Sequence, residues 1–184
     1  SGLNFVLKDN QGTPSSGQVL TADGSGEGYW ADAGGGLTSD AQGNTVGGTY
    51  AGDAFSGTDA TNNTLIGYRA GTDITTGDYN TALGDLALWK VTTGSNQTAV
   101  GYAAGGYADT NNITAVGALA LNISTGDGNT AVGLRAGKNC SSGPHNTFIG
   151  HDAGQGAVSG CTGGYNIAIG KGAFSSFTTV ASNI

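Results

Sequence analysis

The chain has 184 residues, of which 36 are glycine where average usage would give about 13, while charged residues make up only 10% and methionine is absent. A formal net charge of −7 with only six Lys and Arg leaves no stripe to neutralise nucleic-acid phosphates. No apolar run approaches the roughly 18 residues of a membrane span. Gly-rich polar chains are often disordered, but 37% of these residues are hydrophobic and recur at fixed places, which points to a regular fold with little helix. No signal peptide is visible at the SGLNF start, which lacks Met and suits either a processed chain or a piece of a larger one.

In chain order, "LNFVL" at 3–7 is an apolar strand candidate. "GQVLT" and "YWAD" within 16–32 flank the glycine-rich "DGSGEG" and predict a hairpin. The alternating oxygens of that turn resemble the start of a calcium loop, but Gly34 stands where the bidentate Glu is needed. "AGGG" at 33–36 reads as a linker, so 1–37 is expected to be a strand and hairpin segment that caps or couples the array behind it.

From residue 38 one phrase returns eight times, as in "NTLIGYRAG", "NTAVGLRAG" and "NTFIGHDAG". Its glycine falls at Gly48, Gly67, Gly84, Gly101, Gly117, Gly133, Gly150 and Gly170, at intervals of 16–20 residues. A constant period of this length is the mark of a solenoid. Three residues after each glycine stands alanine: Ala51, Ala70, Ala87, Ala104, Ala120, Ala136, Ala153 and Ala173. That invariance predicts a tight packing position. Polar clusters such as "TTGDYN" and "STGDGN" separate the phrases and read as turns. The expected coil is a short strand opened by residues such as Asn129 and Thr130, a glycine corner, a second short stretch, then a polar turn.

The expected fold is all-β: a parallel β-solenoid or β-roll of about eight coils over 38–174, followed by a tail at 175–184. The column before the glycine (Ile66, Leu83, Val100, Val116, Val132, Ile149, Ile169) is expected to face the core. Strand alternation then places Ala82, Ala99, Ala115, Ala131 and Ala168 on the opposite face, with Leu65 and Phe148 between them. That strip of small side chains is expected to lie against another copy, with a homotrimer as the preferred assembly. The same alternation puts the threonine row (Thr45, Thr64, Thr81, Thr98, Thr114, Thr130, Thr147) inside, which argues against an ice-binding surface.

The phrase NTAVG-x-x-A followed by TTGxxN resembles repeats in phage and giant-virus fibre proteins. It is also similar to the head repeats of YadA-type trimeric adhesins, whose phrase is closer to SVAIG-x-x-S. The resemblance covers about 44–174 and implies a left-handed parallel β-roll trimerised side by side. Longer turns, and Ala in place of Ser after the glycine, depart from the adhesin pattern. "SGQVLTADGSGEGYWAD" resembles a short module that precedes the distal domains of phage tail fibres.

Cys140 and Cys161 stand 10 and 9 residues before their following anchor glycines. In stacked coils that places them ~5 Å apart, within the 4.4–6.8 Å or so of a disulfide. Such a bridge stabilises by about 3 kcal/mol. Free thiols are the alternative; metal ligation with His145 and His151 has an order that matches no zinc spacing. Five N-x-S/T sequons, at Asn62, Asn96, Asn112, Asn122 and Asn139, lie in or beside turns where a glycan has room.

No catalytic signature is present, and no cofactor or metal is expected. Carboxylates are scattered over the turns and read as solvated turn residues; the alternative is a glycosidase pair formed across coils from Asp73, Asp78, Asp85 and Asp127. The expected function is therefore structural: part of an extracellular or virion fibre whose partners are other copies of the chain and a surface receptor such as a cell-surface glycan. A self-polymerising filament joined by the N-terminal strand is the alternative, and a β-helical polysaccharide depolymerase the lesser one.

Overall fold

The computed structural model describes residues 18–22, 28–32, 37–55, 59–140, 142–156 and 162–175. Within them the protein is all-β. β1 (Gln18–Ala22) and β2 (Gly28–Asp32) form the expected antiparallel hairpin, with Leu20 opposite Trp30. The turn between them, the strand expected at 3–7 and the linker at 33–36 lie outside the described residues, as does the tail from 176.

The solenoid begins with β3 (Thr38–Ser39), which pairs antiparallel with β4 (Thr45–Gly47) and closes that edge of the sheet. Seven further strands follow in parallel: β5 (Thr64–Ile66), β6 (Thr81–Leu83), β7 (Thr98–Val100), β8 (Thr114–Val116), β9 (Thr130–Val132), β10 (Thr147–Ile149) and β11 (Ile167–Ile169). Each strand pairs with its sequence neighbours, and threonine stacks on threonine from β4 to β10. About seven turns of chain link these strands into one β-solenoid of short coils.

The corner glycines need their lack of a side chain twice over. Gly101 has φ +125°, a region closed to other residues, and a Cβ on it would lie 2.8 Å from the carbonyl carbon of Gly117 in the next coil. The second short stretch does not form a strand. Arg69, Leu86 and Leu119, two residues past their corners, are left-handed at φ 54°, 59° and 59°. Leu88 and Leu121, two residues further on, are left-handed as well, at φ 53° and 45°. An extended strand cannot contain such alternation. Backbone pairing between coils continues on this side all the same, through Gly71 N–H to Ala87 O (2.9 Å), Leu88 N–H to Ala104 O (3.1 Å) and Gly105 N–H to Ala120 O (2.9 Å).

The interior reverses the expected sides of the strand. Leu65, Ala82, Ala99, Ala115, Ala131 and Phe148, the middle residues, are fully buried, and Ala168 nearly so. Leu83, Val132, Ile149 and Ile169 point out, with 47%, 39%, 39% and 65% of their surface exposed. Alternation places the Thr and Val/Ile columns on one face but does not say which face is inside. The bore decides it. A three-residue strand with one inward side chain leaves space only for that side chain, the corner-following alanines and a third column, Ile74, Val91, Ala108, Ser124 and Cys140. Ala70, Ala87, Ala104, Ala120, Ala136 and Ala153 line this bore with no exposed surface.

Volume inside the bore is shared between two positions six residues apart. Leu65 faces Gly71 and Phe148 faces Gly154, whereas Ala82 and Ala115 are followed by Leu88 and Leu121. A Cβ on Gly154 would sit inside the Phe148 ring atoms, 2.0 Å from the nearest. No described coil from Leu65 to Phe148 has a large side chain at both positions; where both are small, at Ala99 with Gly105 and Ala131 with Gly137, Leu88, Ile113, Leu121 and Phe148 of neighbouring coils reach into the space.

The residue before each threonine is also buried. Asn44, Asn63, Asn80, Gln97, Asn129, Asn146 and Asn166 form an amide ladder along the rod. The Asn63 side chain donates to Gly77 O (2.9 Å) and accepts the Asn80 backbone N–H (2.9 Å). Asn80 donates to Gly94 O (2.8 Å) and accepts the Gln97 N–H (3.0 Å). Ile113 interrupts the ladder, and beside it the Gln97 side-chain oxygen is buried without a partner. The asparagine that seems to open the strand is thus the group that satisfies turn carbonyls on one side and strand amides on the other.

Candidate functional site

The feature that most needs an explanation is the outer face of the parallel sheet. It carries the Thr column and the aliphatic column side by side, in register from coil to coil, and neither column contains a charged residue. Strands stack ~4.8 Å apart, so the face is a regular grid of hydroxyls, methyls and larger aliphatics. Contiguous exposed apolar surface of this kind marks an interaction site in soluble proteins. The alanine strip expected to meet another copy is instead the lining of the chain's own bore. With the threonine row outside, strand alternation no longer argues against an ice-facing role for it.

The far end of the sheet is a second unusual feature. At six corners from Gly48 to Gly133 the next coil's glycine carbonyl approaches within 2.4–3.0 Å of where a Cβ would stand. Around Gly170 and Gly172 a Cβ would meet nothing. Ile167, Ala168, Ile169, Ala173 and Phe174 line a cavity of about 410 Å³ there. Among the described residues the outer edge of β11 has no strand paired to it.

Cys140 is buried in the bore and disulfide-bonded. Cys161, the one other cysteine of the chain, lies outside the described residues. Asn62, Asn96 and Asn112 are exposed on left-handed turn residues and Asn139 is half-buried. Asn122 differs: it is buried, and its side-chain amide donates to Ala103 O at 2.9 Å, so a glycan has no access to it in the folded chain. His145 is exposed and stacks on Tyr165 at 5.2 Å, while Nδ1 of His151 lies 3.4 Å from an Asp152 carboxylate oxygen. Among the described residues no three His, Cys, Asp or Glu side chains converge to hold a metal.

The four carboxylates are placed apart in role. Asp78 accepts hydrogen bonds from the N–H and hydroxyl of Thr61 in the preceding coil. Asp127 does the same for the Thr110 hydroxyl and the Asn111 N–H. Asp73 pairs with Lys90 at 2.7 Å, and Asp85 is exposed just after its corner glycine. Asp109 repeats the turn clamp on Thr92, Thr93 and Gly94. Partial burial works to raise the Asp109 pKa, but the Thr92 hydroxyl and three backbone N–H groups outweigh it and hold the carboxyl below the usual range. The Thr110 hydroxyl, then the Asn111 N–H, lower that of Asp127. These carboxylates lock consecutive turns together, a role that spacing alone did not reveal. The available signal was the recurrence of Asp about 16 or 17 residues after a Thr pair or Thr–Asn pair.

No family model, curated protein or solved structure matches this chain.

Proposed function

We propose that the chain is a structural and interaction protein, a rod segment of an extracellular or virion fibre in which copies pack through the outer sheet face around a common axis. The observation that carries this reading is the uncharged face on which Leu83, Val132 and Ile149 remain 47%, 39% and 39% exposed. Burying a column of such residues between copies supplies the apolar driving force that the narrow bore, filled largely by alanine, supplies only sparingly. Three copies arranged about one axis bury the face without leaving an open edge of it.

A second reading has a separate support. Among the described residues no strand pairs with the outer edge of β11, which makes that edge a template for a further strand, and a filament subunit that receives the next copy's N-terminal segment there fits it. Light scattering and sedimentation test both readings on the purified chain. A trimer reads as an elongated species of three times 18.0 kDa, reduced to monomer by Leu83→Asp with Val132→Asp. A compact monomer overturns the fibre reading. Filaments in negative stain that disappear when 1–37 are removed establish the second; filaments that persist exclude strand donation by that segment.

A further inference from the structure

Nothing in the repeat requires aromatic side chains outside the bore, yet the first coils carry them together. Tyr50, Asp53, Arg69, Asp73, Trp89 and Lys90 line a cavity of about 380 Å³ that spans three consecutive coils. It lies past the glycine corners, away from the Thr and aliphatic columns, so packing of copies through the sheet face leaves it open. Tyr50 and Arg69 stand two residues past their corners, Asp53, Thr72 and Trp89 five, and Asp73 and Lys90 six. Aligned by coil rather than by column, the spacing of these residues becomes a site.

The site is particular to these coils. At the same three positions the coils after Gly117, Gly133 and Gly150 carry Leu119, Asn122 and Ile123; Arg135, Lys138 and Asn139; and Asp152, Gln155 and Gly156. None is aromatic. The bore beneath Trp89 is already filled by Leu88 and Val91, both fully buried, so the indole is not there to complete the core. Its ring meets Tyr107 edge-on at 5.7 Å, and the Lys90 ammonium lies 4.4 Å from the Trp89 ring centre. Tyr50 meets Tyr68 at 6.0 Å, and the Arg69 guanidinium sits over both, 5.6 and 5.3 Å from their centres. The Lys90 ammonium also bonds Asp73 at 2.7 Å, and the Thr72 hydroxyl donates to Tyr50 O at 3.0 Å. Rings and charges hold one another in place before any ligand arrives, which lowers the ordering cost of binding.

From this arrangement we infer that the cavity is a binding site for a neutral saccharide. Tyr50 and Trp89 line the cavity, and the apolar surface of their rings that Arg69 and Lys90 leave uncovered suits the C–H side of a pyranose ring. Two carboxylates accept hydroxyl protons, a guanidinium and an ammonium donate to ring and hydroxyl oxygens, and the Thr72 oxygen, its proton held by Tyr50 O, is left to accept. The two acids and two bases cancel in a chain whose net charge is −7, so a ligand bearing its own charge would leave one of them unbalanced. The volume lies at the small end of ligand pockets, about 300–1,000 Å³, and suits a mono- or disaccharide unit of a longer glycan. The site stands on a single chain, so it is tested whether or not copies assemble.

The chain has two tryptophans, and a Trp30→Phe background leaves Trp89 as the sole indole reporter. That protein is titrated with glucose, galactose, mannose, N-acetylglucosamine and their β-linked disaccharides, and separately with glucuronate. Saturable change in Trp89 emission with a neutral sugar is expected. Loss of about tenfold or more in affinity is expected in Arg69→Ala and in Asp53→Ala, with unaltered circular dichroism and with binding unchanged in Tyr165→Ala. Absence of saturation with every neutral sugar, response to glucuronate alone, or binding that survives both pocket substitutions overturns the assignment.

Discussion

A single residue type, the asparagine before each threonine, shows how much chemistry one position holds. Asn80 has no exposed surface and satisfies a carbonyl on one coil and an amide on the next. Asn80→Ala strands both the Gly94 carbonyl and the Gln97 N–H, at about 1–3 kcal/mol each, so a loss of roughly 2–6 kcal/mol in denaturant unfolding is expected. The turn-clamping carboxylates give a pH dependence. Folding lowers the pKa of Asp109 and Asp127 from an ordinary 3.8, so the stability they confer is complete above that value and is lost as pH falls through the lower folded value. The unfolding temperature is expected to stay level from neutral pH to about 4 and to drop below it. In Asp109→Asn the drop is expected to be shallower.

The two inward positions of a coil share one space, with each other and with the coils on either side, rather than acting as independent positions. Phe148 and Gly154 in one coil do the work of Ala82 and Leu88 in another. Phe148→Ala alone is expected to cost about 3–5 kcal/mol through the cavity it leaves. Gly154→Leu alone is expected to destabilise too, because the Phe148 ring occupies the space its side chain needs. The double variant is expected to recover part of the loss, since Leu88 and Leu121 already adopt the left-handed backbone required there. A double-mutant cycle by thermal unfolding checks this coupling; additive losses would show the two positions to be independent. This inverse pairing of sizes was present in the sequence, but only the bore explains why it exists.

For the whole molecule, repetition makes stability a sum over coils and the contacts between them. Ends and faces are then where function is decided. One end is closed by β3, while at the other, among the described residues, no strand pairs with the outer edge of β11. One face is an uncharged grid suited to like copies, and on another the first three coils bring aromatic rings and balanced charges around one cavity. The sheet-face variants separate these roles: Leu83→Asp with Val132→Asp is expected to abolish assembly while leaving the saccharide response of Trp89 intact.

The period, the glycine corners, the alanine contacts and the all-β class were legible in the residues, because a repeat exposes each environment as a column. Strand alternation likewise shows which side chains share a face. Which face turns inward was decided by the tertiary structure, since it depends on the diameter of a closed coil, and no local pattern encodes that diameter. The same closure turned strand-opening asparagines into a buried ladder. It brought residues from three coils, about 17 positions apart in sequence, around one cavity. Local chemistry named the parts; the closing of the coil chose inside from outside.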